Sequence, residues 1–497
     1  MTTFPKAFIA VIVKSLLRGK SLIQAILAYC IAPIKSDPSS ALVRAPSAKS
    51  LQEFLKDAEA ALLGPVSGHG LLDLSAGLKK QFFERLQTDM QCMLPSYSHR
   101  LPTGNESGQY VAVDVGGSTL RVALVELRGR EAHQGKQSDI VSMRNFRIAK
   151  AIKDLEGMAF FDWMAEKIRE TLSTGLSREH GPDKPIPLAL AWSFPLEGLV
   201  GEDLGRIVKS ACEHCGLNVE LRAILNDSSA CLLSRAYSYT STRFGLILGT
   251  GVNMAAFLPV RGIGRPKFGV RPDGWFDQAS HVIVNTELGM FGHGILPMTR
   301  WDRQLTKGHP RPDFQPLEHL VSGMYIGEIV RLALVEAIAA TGMLGGVVPP
   351  SLENPYSLGA DTLSLIERWD SDGTSELTEA IKIFSQRHPS SHTPTTSDLV
   401  AVKALASFVS VRSSAIVATC VFTMWYCRLE AEEATTVAFN GSVIESYSGY
   451  LGSCQRYVDD LVESKGLAEP RSIHLVPAKE SSLMGAAVAL ACVERDD

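Results

Sequence analysis

The chain has 497 residues, 45% of them hydrophobic and 21% charged, with 49 Lys and Arg against 53 Asp and Glu for a formal charge of −4. This is globular composition, which excludes a largely disordered chain and gives no support for nucleic-acid contact through a basic surface. The nine cysteines are scattered and odd in number, which argues against a secreted disulfide scaffold and for a reducing, cytoplasmic compartment.

Two apolar runs come first, Ala7 to Leu17 and Ser21 to Ile34, separated by Arg18, Gly19 and Lys20. Neither reaches the roughly 18 to 20 residues that span a bilayer. Lys6, Lys14, Arg18, Lys20 and Lys35 are basic and no acid precedes Asp37. Residues 1–36 therefore read as helices lying in a membrane interface, with the mitochondrial outer membrane or another membrane surface as partner, or as a targeting segment. The bland alternative is an amphipathic helix packed on the body. Residues 36–50 form a Ser, Pro and Ala-rich linker.

Apolar spacing near 3.6 predicts helices over Leu51 to Leu63 and Leu72 to Leu94, followed by a polar loop from Pro95 to Gln109. Tyr110 to Val115 and Leu120 to Leu127 are strands flanking a Gly-Gly turn. Phe160 to Leu172 is helical; Pro187 to Phe194, residues 221–226 and residues 244–249 are strands. Helices return from Pro316 to Thr341 and from Val400 to Ala434. Strands interleaved with helices make an α/β protein.

Asp114-Val115-Gly116-Gly117-Ser118-Thr119 follows a strand. Glycines there let backbone approach an anion, and an aspartate at the strand end suits a hydrated magnesium ion beside phosphates. Alone, a Gly-Gly segment of this kind is more often only a hairpin turn, and it matches neither the P-loop nor the G-x-G-x-x-G pattern. Gly249-Thr250-Gly251 ends another strand, so two such clips would grip a nucleoside triphosphate. Asn226-Asp227-Ser228-Ser229 places a carboxylate at a strand terminus, where it can accept a proton from a hydroxyl attacking phosphorus. The same four residues make a good helix N-cap, and both roles are compatible. Cys212-Glu213-His214-Cys215 has C-x-x-C spacing on a helix with no second pair, and neither redox nor zinc function is assigned to it.

These pieces, in this order, resemble the hexokinases, two-lobed sugar kinases of the actin-like ATPase superfamily with a ribonuclease H-like fold and an interdomain cleft. VAVDVGGSTLRVALVEL resembles the first phosphate motif, WSFP the sugar-binding Ser-Phe-Pro segment and AILNDSSACLLS the segment of the catalytic aspartate. FGLILGTGVNMA resembles the second phosphate motif and VNTELGMFG the sugar-binding Asn-x-Glu segment. LEHLVSGMYIGEIVRLAL is similar to the helix opening with a sugar-contacting glutamate; VAFNGSV and ESSLMGAAVALA are similar to the adenosine region and C-terminal helix. The resemblance runs from about residue 50 to 495. It implies a small lobe over 105–227, a large lobe over 228–477, residues 37–104 packing on the large lobe, and 478–497 returning to the small lobe.

The resemblance also implies roles. Asp227 would be the general base for the primary (6-) hydroxyl of a hexose such as glucose or N-acetylglucosamine. Ser193, Asn226, Asn253, Glu287 and Glu318 would bind the sugar. Asp114, Gly116, Gly117, Ser118 and Thr119 would meet the phosphates of ATP and their Mg2+, Thr250 would add a phosphate contact, and Gly441 with Ser442 would flank the adenosine. Several positions depart from the family pattern. The Lys-bearing sugar loop that normally follows Ser-Phe-Pro has no match, because Leu196-Glu197 runs almost directly into Gly201-Glu202. Ser118-Thr119 replaces Thr-Asn, Leu288 replaces a tryptophan, Asn440 stands where aspartate is common, and Glu480 to Gly485 lacks the Gly-Ser-Gly-Lys/Arg-Gly stretch. These features resemble a divergent fungal branch that includes N-acetylglucosamine kinases. They leave open a catalytically weak or inactive sugar-sensing regulator, and a gap in the gene model.

Overall fold

The computed structural model describes residues 49–493 apart from residues 117, 133–135, 154, 156, 174–184, 193–202, 370–373, 429–433 and 467–470. The membrane reading of residues 1–36, Ser193 and Gly117 thus lie outside the described residues. The helices that matter below are α1 (Leu51–Leu63), α2 (Gly70–Thr88), α3 (Met158–Leu172), α4 (Leu204–His214), α5 (Asp227–Ala236), α6 (Gly323–Thr341), α7 (Thr396–Cys427) and α8 (Ser481–Val493). The strands are β1 (Leu94–Pro95), β2 (Ser107–Val115), β3 (Thr119–Arg128), β4 (Ser138–Arg147), β5 (Ile186–Trp192), β6 (Val219–Leu225), β7 (Thr242–Leu248), β8 (Val252–Pro259), β9 (His281–Asn285), β10 (Ala434–Asn440) and β11 (Ser472–Pro477).

One compact unit comprises Leu78–Phe291, Phe422–Glu445 and Val462–Asp497 and carries both sheets. The first sheet has the order β4-β3-β2-β5-β6 and the second β1-β9-β8-β7-β10-β11. In the first, β2 runs antiparallel to β3 and parallel to β5. Its residues from Tyr110 to Val115 are all buried, the pattern of a central strand covered on both faces. Helices α3 and α4 cover one face through Phe161, Met164, Ile168, Val208 and Cys212. The other face lies against α5 and α8, with Ala112, Ala123, Leu232, Leu483 and Ala487 in one cluster. Small residues permit close approach there. A Cβ on Gly485 would fall 2.0 Å from the Ala230 carbonyl oxygen, and one on Gly245 of β7 would fall 2.3 Å from the Ser228 carbonyl oxygen.

Among the described residues, the other unit comprises residues 49–77, Gly292–Val421 and Ser446–Leu461 and is helical. Ser50, the last residue of the expected linker, caps α1 in a reciprocal pair with Glu53. Arg412, fully buried, donates two hydrogen bonds to Asp302, from Nη1 at 2.6 Å and Nη2 at 2.8 Å, and Asp302 also caps the helix beginning after Thr299. Helix α7 is long and apolar enough to cross a membrane, but 89% of its most apolar stretch is buried within the protein. It is apolar around its circumference because it is a core helix.

Several element boundaries differ from those expected. The helix predicted over Leu72 to Leu94 stops at Thr88. There the Asp89 carboxylate accepts the N–H groups of Gln91 and Cys92, and Met93 turns to φ 52°, so hydrogen bonding by a short acid outcompetes the helical ladder. The helix predicted from Pro316 is broken at Ser322, whose extended backbone separates a four-residue turn, Glu318–Val321, from α6. The helix predicted to Ala434 ends at Cys427, and Ala434 opens β10. Strand β4 was not anticipated; as an edge strand it is largely solvated and lacks an apolar run.

The contact between α5 and α8 yields a test. Gly485→Ala forces backbone apart at Ala230 and is expected to cost about 2–3 kcal/mol, read as a lowered urea midpoint with an unchanged slope.

Candidate active site

Asn226 ends the segment from β6 and begins α5. Its Oδ1 accepts from the Ser228 N–H at 2.9 Å and from Ser228 Oγ at 2.6 Å, so it is a true N-cap. The capped turn holds Asp227 at the first helical position, where its Oδ1 accepts from the Ser228 N–H at 2.7 Å. The N-cap reading of this segment is what the structure contains. Burial pushes the Asp227 carboxyl up to about 6, and the negative charges of Asp114 and Glu287 push the same way against the Ser228 hydrogen bond. A carboxylate so placed is basic enough to take a proton near neutrality and remains ionised there.

A run of side-chain amides leads away from Asn226. Asn253, on β8, donates from Nδ2 to Asn226 Oδ1 at 3.2 Å and to Asn285 Oδ1 at 3.0 Å. Asn285, the last residue of β9, donates to Glu287 Oε1 at 2.8 Å. Antiparallel pairing of β8 with β9 sets these residues side by side, with Ala255 opposite Asn285. Asn226, Asn253 and Glu287, three expected site residues, are thus one hydrogen-bonded group. Asn285 is a member that the sequence reading passed over, although it opens the quoted Asn-x-Glu segment. Glu318 lies in the other unit, where it starts the short turn before α6; burial, and after it the Glu318 charge, raise Tyr325 to about 12.

Asp114, near the end of β2, is 6% exposed. Burial outweighs Arg121 and raises its carboxyl above the usual range, with Glu480 adding to the rise. Arg121 donates from Nε to Asp114 Oδ2 at 2.8 Å and from Nη1 to Glu480 Oε2 at 2.8 Å. Arg121 and Glu480 were not anticipated, though a cation directly before the apolar run Val122 to Val125 of β3 was the available signal. Among the described residues Asp114 Oδ1 has no protein partner, as suits a group facing a hydrated cation.

The glycine turns divide by function. The Gly116 N–H closes the hairpin onto the Thr119 carbonyl at 3.0 Å, and the Gly249 N–H bonds the Gly251 carbonyl at 3.0 Å, so neither amide is free for a phosphate as expected. Yet a Cβ on Gly116 would meet only the Thr119 carbonyl at 3.4 Å, an ordinary contact, so the fold itself does not require glycine there. Ser118 and Thr119 follow in the same turn. At Gly441 the requirement is internal: φ is +130° and a Cβ would stand 2.3 Å from the Leu248 carbonyl oxygen. The Gly441-Ser442 turn consequently lies against Gly249, next to Thr250. Buried acid, open turn and close-packed turn together fit a magnesium-bound nucleotide. Cys212 is buried and its thiol is pushed up to about 12, with Cys215 raised as well, which makes both poor nucleophiles at neutral pH.

Two hexokinase family models match this chain, over residues 64–237 and 243–492. Hexokinase-2 of Candida albicans is 28% identical over 426 residues, covering 81% of this chain and 84% of its own length. Glucokinase of Aspergillus niger is 27% identical, covering 80% and 88% respectively. A solved structure of Schistosoma mansoni hexokinase complexed with glucose superposes with a TM-score of 0.71 at 23% identity, over 89% of this chain and all of that one. The architecture is the α/β hexokinase fold, and the chain belongs to the hexokinase family. It is a sugar kinase, and these relationships favour that activity over the inactive regulator.

The Asp227 environment predicts a pH effect on folding. The folded carboxyl holds its proton up to about 6 whereas the unfolded one loses it in the ordinary carboxylate range. Folding takes up a proton between those limits, so stability falls as pH rises through that window. Asp227→Asn should flatten this part of the stability profile in urea titrations, and an unchanged profile would contradict the assignment.

Proposed function

We propose that this enzyme transfers the terminal phosphoryl group of ATP to the primary (6-) hydroxyl of a hexose, with Asp227 as general base. The observation that carries the reading is the half-buried Asp227 carboxylate at the first position of α5, next to Asn226 and the amide run that leads to Glu287. Asn226, Asn253 and Glu287, with Ser193 and Glu318, hydrogen-bond the sugar hydroxyls and fix the attacking oxygen, a source of rate through orientation. A polar ring of this kind discriminates because a sugar lacking one hydroxyl leaves a buried group unpaired. Glucose is the first substrate to test, because the Schistosoma relative was solved with it; N-acetylglucosamine is the next.

Asp114, Gly116, Gly117, Ser118, Thr119 and Thr250 take the phosphate side of ATP, and Gly441 with Ser442 the adenosine side. Bound magnesium supplies charge neutralisation at the phosphoryl group. Asp227 receives the hydroxyl proton, so turnover requires its ionised form and declines as pH drops through about 6. We further infer that residues 1–36, basic and without acids, hold the enzyme on a membrane surface, the mitochondrial outer membrane among the candidates. Deleting them should leave the protein freely soluble, and identical partitioning of both forms would end that idea.

The deciding measurement is ADP release with glucose, mannose, fructose or N-acetylglucosamine present. One sugar should stimulate release, and Asp227→Asn should reduce kcat by roughly 10²–10⁴ while still binding the sugar. Sugar binding by the wild type without phosphoryl transfer would instead establish the regulator.

A further inference from the structure

Four backbone N–H groups dictate how the site's three side-chain amides point. The Glu287 N–H donates to Asn285 at 3.3 Å, so the accepting atom is Oδ1 and the amide nitrogen of Asn285 must face Glu287 Oε1. The N–H groups of Met254 and Leu288 donate to Asn253 Oδ1 at 2.8 and 3.2 Å, which turns its nitrogen toward Asn285 and Asn226. The Ser228 N–H does the same at Asn226. A backbone N–H can only donate, so none of the three amides can flip without setting donor against donor. Asn226 is left presenting N–H groups alone, and Glu287 is left presenting the acceptor oxygen Oε2. Neither of these has a protein partner among the described residues.

Asn285 is the pivot of this arrangement. Glu287 has left-handed backbone angles, φ 51° and ψ 54°, which cost a non-glycine residue energy unless neighbours impose them. Asn285 engages both ends of that residue, accepting its N–H and donating to its carboxylate. We infer that Asn285 is a positioning residue for the sugar site: it holds Glu287 at its N–H and at its Oε1, which leaves Oε2 as the acceptor for a ligand, while Asn226, oriented by Ser228, supplies the donors. The ligand class this selects is a polyol in which one hydroxyl accepts while another donates. The inference rests on the reading of Asn226 and Glu287 as sugar-facing groups.

Replacing Asn285 by aspartate keeps the shape and both acceptor bonds but removes the donor, and it sets two carboxylates at hydrogen-bond distance. Glu287→Gln then supplies a donor, restoring the bond with reversed polarity. Calorimetric titration with glucose should show N285D weakening binding at least tenfold, with Mg-ADP binding unchanged. The double variant N285D/E287Q should bind no more weakly than E287Q alone, so the two losses do not multiply. Binding by N285D within twofold of wild type would overturn the inference, as would a double variant whose loss is the product of the single ones. Thermal unfolding without ligand reads the same coupling, since N285D should lower Tm and E287Q should recover it. If the wild type binds none of the sugars, the kinase reading fails, while the Tm pattern still decides whether Asn285 holds Glu287. Should N285D fail to fold, Asn285→Ala, which deletes both hydrogen bonds to Glu287 without adding charge, must show the same non-additivity with E287Q.

Discussion

The close approach of backbone at both sides of α5 is the constraint on which the site depends. With glycine at 245 and 485, this helix lies nearer to β7 and to α8 than any side chain would permit. Its N-terminus is thereby fixed in three dimensions, and with it Asn226 as cap and Asp227 as the first helical residue. Loop residues alone could not hold a half-buried carboxylate so tightly, because the surrounding dipoles must already be in place before charge develops. The helix is rigid where the chemistry requires rigidity, and α8, although last in sequence, supplies one wall of that support.

The charges of Asp114 and Glu287 both raise the proton affinity of Asp227, and one guanidinium, Arg121, stands with Asp114. Like charges that are brought together out of water raise one another's proton affinity. Arg121 moderates this without cancelling it, because Glu480 draws on the same guanidinium.

Much of the fold was legible in the sequence for a physical reason. The central strands are continuous apolar runs, as at Tyr110 to Val115, and turns are punctuated by glycine, as at Gly249 to Gly251. Edge strand β4 was not legible because solvent on most of its surface erases the apolar pattern. The helix ends at Thr88 and Ser322 were set by local hydrogen bonding and by an extended residue, neither of which periodicity detects. In the site, Asp227 and Glu287 were recognisable from their segments. Asn285 and Arg121 emerged only from geometry, since their significance lies in what strand pairing puts beside them, and Glu480 meets Arg121 from far along the chain.

The left-handed backbone of Glu287 has one more consequence. Glycine is the residue that such angles suit best, and it would relieve strain on the order of 1 kcal/mol or more. It would also delete the carboxylate that terminates the amide run. Stability and activity therefore pull in opposite directions at this position. Selection for a sturdier protein alone would drift toward glycine here, whereas the proposed role of Glu287 at the sugar requires the glutamate in a conformation it does not prefer.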